Sequence, residues 1–465
     1  MESLAHIENR TDLPFESSLI DRLARRGVRN KLGAIEGGAI VVKDAFGVER
    51  FGEPNVPLDA TLRVKRSRFY RSVASLGALG AAEAYMDGDW ETDDLTGVVR
   101  VLARNQAALQ NLNGGLARLA RPALALFHAL RRNTRSGSRQ NIAAHYDLGN
   151  DFFELFLDPT LTYSAGIFDS VESTMEMASA AKYDRICRKL ELGPDDHVLE
   201  IGTGWGGFAL HAAKHFECRV TTTTISKRQY ELARHRVAEA GLESSVDVLL
   251  RDYRDLSGDY DKLVSIEMIE AVGHQHLDEF FATCARLLRP NGSMAIQAIT
   301  VPDRHYAAHT RSVDFIKRYI FPGSDLVSLG AVSSSASESG AMRLTHWEDI
   351  TPHYAETLRR WRKRMFENIT AIRSVGLDER FIRMWEYYLC YCEGGFEERA
   401  IGVAQAVFEK ADARRPSLLG DLPSSDTDSA TSSVEAMCAW ACRMRGNRRK
   451  RPLRVQNRRR HYELE

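Results

Sequence analysis

The stretch VLEIGTGWGG, Val198 to Gly207, decides the fold. A short apolar run ends in Gly202, Gly204, Gly206 and Gly207, and a helical pattern through His211 and Lys214 follows. A strand that ends in glycines and turns into a helix lets a ligand approach the backbone closely, because glycine carries no Cβ to hold it off. Further along, apolar β-rich runs alternate with helical patterns: RVTTTT at 219–224, VDVLL at 246–250, KLVSIEMI at 262–269 and SMAIQAIT at 293–300. That alternation predicts an α/β fold, a Rossmann-like parallel sheet with covering helices. Glycine turns of this kind serve both dinucleotides and S-adenosylmethionine. A dinucleotide site wants an acid at the end of the second strand to hold the ribose, whereas RVTTTTISKRQ offers Thr224 and Gln229 and no acid. An acid does follow the third strand, in RDYRDL, where Asp252 could accept from an adenine amino group with Tyr253 alongside the ring. The context therefore favours S-adenosylmethionine.

Sixty-three Lys and Arg balance 63 Asp and Glu over 465 residues, so whole-molecule attraction to nucleic acid is not expected. With 44% apolar and 27% charged residues the chain is globular, and its length suits roughly two to three domains. No apolar stretch approaches the ~20 residues of a membrane helix, and MESLAHIENR lacks the h-region of a signal peptide, so a cytoplasmic protein is expected. The seven Cys show no paired CxxC spacing, which supports neither a zinc site nor a disulfide framework. GGAIVVKDAFGVERFG, Gly37 to Gly52, reads as a β-hairpin turning at Gly47. GGLARLARPALALFHALRR, at 114–132, is a basic amphipathic segment that suits either packing on a neighbouring domain or docking on an anionic membrane. The polar stretch RNTRSGSRQ, 132–140, reads as a linker. This divides the chain into an N-terminal accessory domain at 1–135, a catalytic domain at 136–415 and a tail at 416–465. The tail reads as disordered: residues 441–465 hold ten Lys or Arg against two Glu.

Seven blocks occur in order: NIAAHYDLGNDFFELFLDPTLTYSAGIF (Asn141 to Phe168), VLEIGTGWGG, TTISKRQYELA, MIEAVGHQHLDEFF, RYIFPGSDL, HYAETLRRW and CYCEGGFEER. They resemble the cyclopropane fatty acid synthases, which include the mycolic acid cyclopropane synthases and related fatty acid methyltransferases, over most of the chain. The resemblance implies a class I S-adenosylmethionine-dependent methyltransferase with a small N-terminal α+β domain. It implies methyl transfer onto the cis double bond of an acyl chain, usually in a phospholipid, by a protein peripheral to the inner face of the membrane. A homodimer is implied too. Position by position, Tyr163 and Ser164 match contacts to the methionyl part of the cofactor, Gly202 and Gly204 match the glycine turn, and Thr224 and Gln229, with Ile225 between, fall on the ribose contacts. In the family a bicarbonate ion beside the reacting carbons serves as base, held by a Glu, a His, a Tyr and backbone groups. Glu270 and Tyr354 match the Glu and the Tyr, and Ile299 falls on a backbone contact. Two positions depart. The Cys of the YSC block is Ala165, which suffices where the main-chain amide is the donor. The His of the fifth strand is Gln297, which can donate to an anion but cannot titrate. Glu270 beside a bicarbonate implies a shared proton or bridging donors such as Tyr354.

The chemistry implied begins with an alkene attacking a sulfonium methyl held in line, leaving a carbocation. Proton loss from the new methyl closes a cyclopropane, whereas loss from a neighbouring chain carbon leaves a methylene. Aromatic faces stabilise cations, and Phe168, Tyr319 and Trp361 lie in the matching blocks, where packing is the alternative reading. His274 and His276 mark the start of a helix, and His145 belongs to a segment folding over the cofactor. The expected activity is that of a cyclopropane-fatty-acyl-phospholipid synthase. The alternatives are a fatty acid methyltransferase with a methylene or methyl-branched product, and a non-catalytic lipid-binding protein on the same scaffold.

Overall fold

RVTTTT becomes a strand buried along nearly its whole length, as β-branched residues in a sheet covered on both faces should be. It belongs to the larger of two sheets in the computed structural model, which describes residues 18–106 and 149–414. The amphipathic segment at 114–132, the linker at 132–140, His145 and the tail lie outside the described residues. The smaller sheet holds β1 (Ala39–Asp44), β2 (Gly47–Gly52), β3 (Asp59–Val64) and β4 (Trp90–Glu91) in the order β2-β1-β3-β4. β1 and β2 form the predicted hairpin, antiparallel from Ala39↔Gly52 to Asp44↔Gly47.

The larger sheet holds β5 (His197–Ile201), β6 (Arg219–Thr224), β7 (Val246–Leu250), β8 (Tyr260–Ile266), β9 (Leu288–Thr300), β10 (Met342–Asp349) and β11 (Gly402–Lys410), in the order β10-β11-β9-β8-β5-β6-β7. β5 to β9 pair in parallel, as the alternating sequence predicts, and β11 runs antiparallel between β9 and β10. The chain order reverses at β5, between β6 and β8, and such a switch point opens a crevice at the carboxyl ends of the strands. β10 and β11 escape the sequence reading because the helices Thr351–Glu367 and Glu379–Glu397 stand between them and interrupt the strand-helix rhythm.

The small sheet carries the helices Arg68–Leu76, Ala78–Met86 and Leu95–Arg104. At Gly80 a Cβ would stand 1.9 Å from the Ser72 carbonyl oxygen, so only glycine lets the first two helices meet this closely. Trp90 of this module and Trp361 and Trp385 of the long helices are fully buried in one apolar core. Polar contacts cross the same boundary: Tyr85 Oη donates to Glu386 at 2.8 Å, Arg362 to Thr96 at 2.6 Å and Arg104 to Glu398 at 2.5 Å. Among the described residues, no helix is long and apolar enough to cross a membrane.

Candidate active site

A cavity of about 1050 Å³ opens at the carboxyl ends of β5, β6, β8 and β9. Tyr163, Ser164, Gly202, Gly204, Thr224, Ile225, Gln229, Asp252 and Tyr253, the residues matched to the cofactor, all line it. Gly202 and Gly204 have φ of +102° and +53°, a region where a side chain is strained. At Gly204 a Cβ would meet nothing within 4 Å, so this backbone faces open space. Thr224 donates to Gln229 at 2.8 Å, and Arg254 clamps both oxygens of Asp252 at 2.9 and 2.7 Å, which fixes their orientation. Ser164 accepts from the buried Lys182 Nζ at 2.6 Å. The carboxyl groups of Glu200, Asp252, Glu267 and Glu270 also line the cavity, Glu267 partly exposed and the other three buried. These residues fit S-adenosylmethionine. Replacing Gly202 by Val would force a Cβ to 3.0 Å from the Met268 side chain at a φ unfavourable to any L-residue. Calorimetry should show S-adenosylhomocysteine binding weakened at least about tenfold, the equivalent of roughly 1.4 kcal/mol of strain and lost contact.

The groups matched to the bicarbonate converge on a residue that the sequence reading does not single out. Glu267, the first residue after β8, has φ of +47° and turns its carboxylate into the site. Its Oε1 accepts from the Ala165 amide at 2.9 Å and from Gln297 Nε2 at 2.8 Å, and its Oε2 accepts from Tyr354 Oη at 2.6 Å. Glu270 stands apart from this set. Its Oε1 accepts from the Ile299 amide at 2.6 Å, and its buried Oε2 has no hydrogen-bond partner among the described residues. Glu267, Glu270, Ile299 and Tyr354 line the cavity, while Ala165 and Gln297, fully buried, stand behind Glu267.

The orientation of Gln297 follows from its neighbours. Lys189, which can only donate, reaches Gln405 Oε1 at 2.7 Å, so the Gln405 amide nitrogen donates onward to Gln297 Oε1 at 3.0 Å. The Gln297 nitrogen is thereby aimed at Glu267 Oε1, which must accept. Register supports the chain, since Gln297 on β9 pairs with Ile266 on β8 and with Gln405 on β11.

Burial raises the pKa of both carboxyl groups, and at Glu267 the hydrogen bonds from Tyr354, Gln297 and Ala165 oppose that rise. Glu270 is pushed up to about 8 by its burial and by the nearby charge of Glu267, against backbone hydrogen bonds from Ile299 and from its own amide. Glu270 is therefore largely the acid near neutrality. Lys182 is pushed down to about 8 by complete burial, against the attraction of Glu267, Asp158 and Glu200. Burial lifts Glu200, hydrogen-bonded by Thr222 at 2.6 Å, to about 8.

A bicarbonate does not fit this arrangement. Its expected donors, Ala165, Gln297 and Tyr354, are already spent on Glu267, and a second anion against that carboxylate would meet repulsion. The expectation that Glu270, Gln297 and Tyr354 share one anion is corrected accordingly. Tyr354 and Gln297 face Glu267, and Glu270 binds the Ile299 amide. The aromatic candidates are displaced as well. Phe168 lies under the Arg360 guanidinium at 4.4 Å, Tyr319 donates to Glu83 at 2.7 Å, and Trp361 is buried against Tyr163, with none of the three on the cavity wall. Tyr163, Tyr354, Tyr388, Phe321 and Phe396 line it instead. His274 and His276 do precede the helix Leu277–Leu287, and His274 pairs with Asp325 at 2.7 Å. Beyond the glycine turn and the carboxyl groups, the cavity is walled by Leu76, Leu79, Val99 and Leu102 of the N-terminal module and by Phe315, Tyr387 and Tyr391.

Comparison with known proteins places these features in context. The family model described as mycolic acid cyclopropane synthetase matches residues 133–406. The chain is 40% identical over 343 residues to tuberculostearic acid methyltransferase UfaA1 of Mycobacterium tuberculosis, covering 72% of this chain and 79% of that protein. It is 36% identical over 354 residues to cyclopropane-fatty-acyl-phospholipid synthase of Escherichia coli, covering 76% and 88%. Among solved structures, mycolic acid cyclopropane synthase CmaA1 complexed with S-adenosylhomocysteine superposes with a TM-score of 0.55 at 33% identity, covering 58% of this chain and 98% of that one.

Proposed function

The chain belongs to the mycolic acid cyclopropane synthetase family, and on that premise we propose that this S-adenosylmethionine-dependent methyltransferase methylates the cis double bond of an unsaturated acyl chain of a phospholipid at a membrane surface and closes a cyclopropane ring. The observation that carries the reading is the single continuous cavity. Its walls carry the glycine turn, the carboxyl pair and a set of apolar and aromatic side chains suited to an acyl chain.

S-adenosylmethionine would supply an electrophilic methyl when bound. The protein's own part is to hold and to exclude. Tyr163, Ser164, Gly202, Gly204, Thr224, Ile225 and Gln229 hold the donor, with Asp252 and Tyr253 at its adenine end. The apolar wall threads the alkene toward the methyl and keeps water from the carbocation, which water would otherwise trap. Rings of Tyr163, Tyr354 and Phe396 are the aromatic faces near that cation.

A second reading, a methylene or methyl-branched product, is favoured by the similarity to UfaA1. Methyl-labelled S-adenosylmethionine and vesicles of dioleoyl phosphatidylglycerol separate the two. Label should enter the acyl chains with equimolar release of S-adenosylhomocysteine, and proton NMR of the product should show upfield ring hydrogens. Terminal methylene hydrogens, distinct from the olefinic hydrogens of unreacted oleoyl chains, or a branch-methyl signal without ring hydrogens would establish the second reading instead. Vesicles of saturated lipid should give no release, and equal release from both would defeat the proposal.

A further inference from the structure

We propose that the carboxylate of Glu267 is the catalytic base, filling from within the chain the place expected for an exogenous anion; this rests on the methyltransferase reading above. Three donors from three separated segments, the Ala165 amide, Gln297 Nε2 and Tyr354 Oη, meet on one carboxyl group. That group lies on the cavity wall, whereas two of its donors do not. Such an arrangement presents a partly buried anion to the substrate and hides the machinery that keeps it ionised. The backbone reinforces the point. Glu267 adopts φ of +47°, which costs a non-glycine residue about 1 kcal/mol or more and persists where the surroundings impose it. Oε1 is occupied by two donors and Oε2 by one, so Oε2 keeps a free lone pair.

In the step this supports, the alkene π pair forms a bond to the methyl carbon, and the carbon–sulfur pair returns to sulfur, which becomes a neutral thioether. Glu267 Oε2 then takes a proton from the new methyl. The released C–H pair closes the ring, or the double bond where a chain carbon gives up the proton instead. The proton leaves Glu267 for solvent as product departs.

The full-length protein and two variants test this. E267G removes the carboxylate at a backbone angle that glycine favours, leaving the three donors open to a planar anion of similar shape. E267Q keeps the size but cannot take a proton. In buffer stripped of carbon dioxide, the wild type should retain its turnover, while both variants lose at least about 100-fold, the usual contribution of a general base. Adding bicarbonate should restore part of the turnover to E267G and none to E267Q. Calorimetric titration with bicarbonate should give heat with E267G and none with the wild type. Wild-type turnover that falls with bicarbonate depletion, wild-type binding equal to that of E267G, or E267Q at wild-type rate would each overturn the proposal. A wild type that releases no S-adenosylhomocysteine with any unsaturated lipid would defeat the function assigned above, and the titration would still decide whether Glu267 fills the anion place.

Discussion

Tyr354→Phe lowers turnover most at low pH, by at most about 10- to 150-fold, and the loss shrinks as pH rises. Tyr354 is buried and gives Glu267 Oε2 its single hydrogen bond, at 2.6 Å. A hydrogen bond to a charged group contributes about 1.5–3 kcal/mol, and losing it raises the carboxyl pKa by the same free energy, about one to two pH units. Burial already holds Glu267 above the ordinary carboxylate range, so the variant carries more of its Glu267 as the acid at neutrality. The sign follows directly. A base must be ionised to work, so activity is missing at low pH and returns as pH climbs through the raised pKa. Single-turnover release of S-adenosylhomocysteine from pH 6.5 to 9 measures this, with cofactor affinity as the control. A loss of equal size at every pH would mean that Tyr354 acts through shape rather than through the ionisation of Glu267.

Lys182→Met weakens the fold increasingly as pH rises from 6 to 8, because it removes the cation from a buried cluster of titratable groups. The ammonium is fully buried and hydrogen-bonded to Ser164, amid the fields of Glu267, Asp158 and Glu200. Without it, Glu200 and Glu267 lose their cation and their pKa values rise further. For a carboxyl group raised in the folded state, the native chain binds more protons than the unfolded one. Stability then falls as pH increases from the unfolded value through the folded one, here about 8 for Glu200. The deficit of the variant therefore widens from pH 6 to pH 8. Thermal unfolding at the two pH values reads it, and a deficit that narrows over this range would remove Lys182 from the cluster's electrostatics.

The parallel strands β5 to β9 and the hairpin of β1 and β2 are legible in the sequence because each is a local signal: an apolar run, a turn residue, a change of period. The glycine turn is legible for the same reason. Glu267 is not. It sits in IEMIE, where Ile266, Met268 and Ile269 read as a continuing strand, and its departure into a left-handed angle at the strand end leaves no trace in periodicity. Only the convergence of Ala165, Gln297 and Tyr354, 102, 30 and 87 residues away along the chain, gives it meaning. The change to Gln297 was legible, but its reason was not, since that depends on Lys189 and Gln405 setting the direction of an amide across two strands. Lys182 was hidden likewise, because nothing in AAKYDR marks its ammonium for the interior.

Leu76, Leu79, Val99 and Leu102, which line the cavity, come from a module that supplies none of the carboxyl groups. Depth and reactivity are thus encoded in different parts of the gene. Selection can lengthen or shorten the accepted hydrocarbon by exchanging apolar side chains between codons 76 and 102, with the chemical step left untouched.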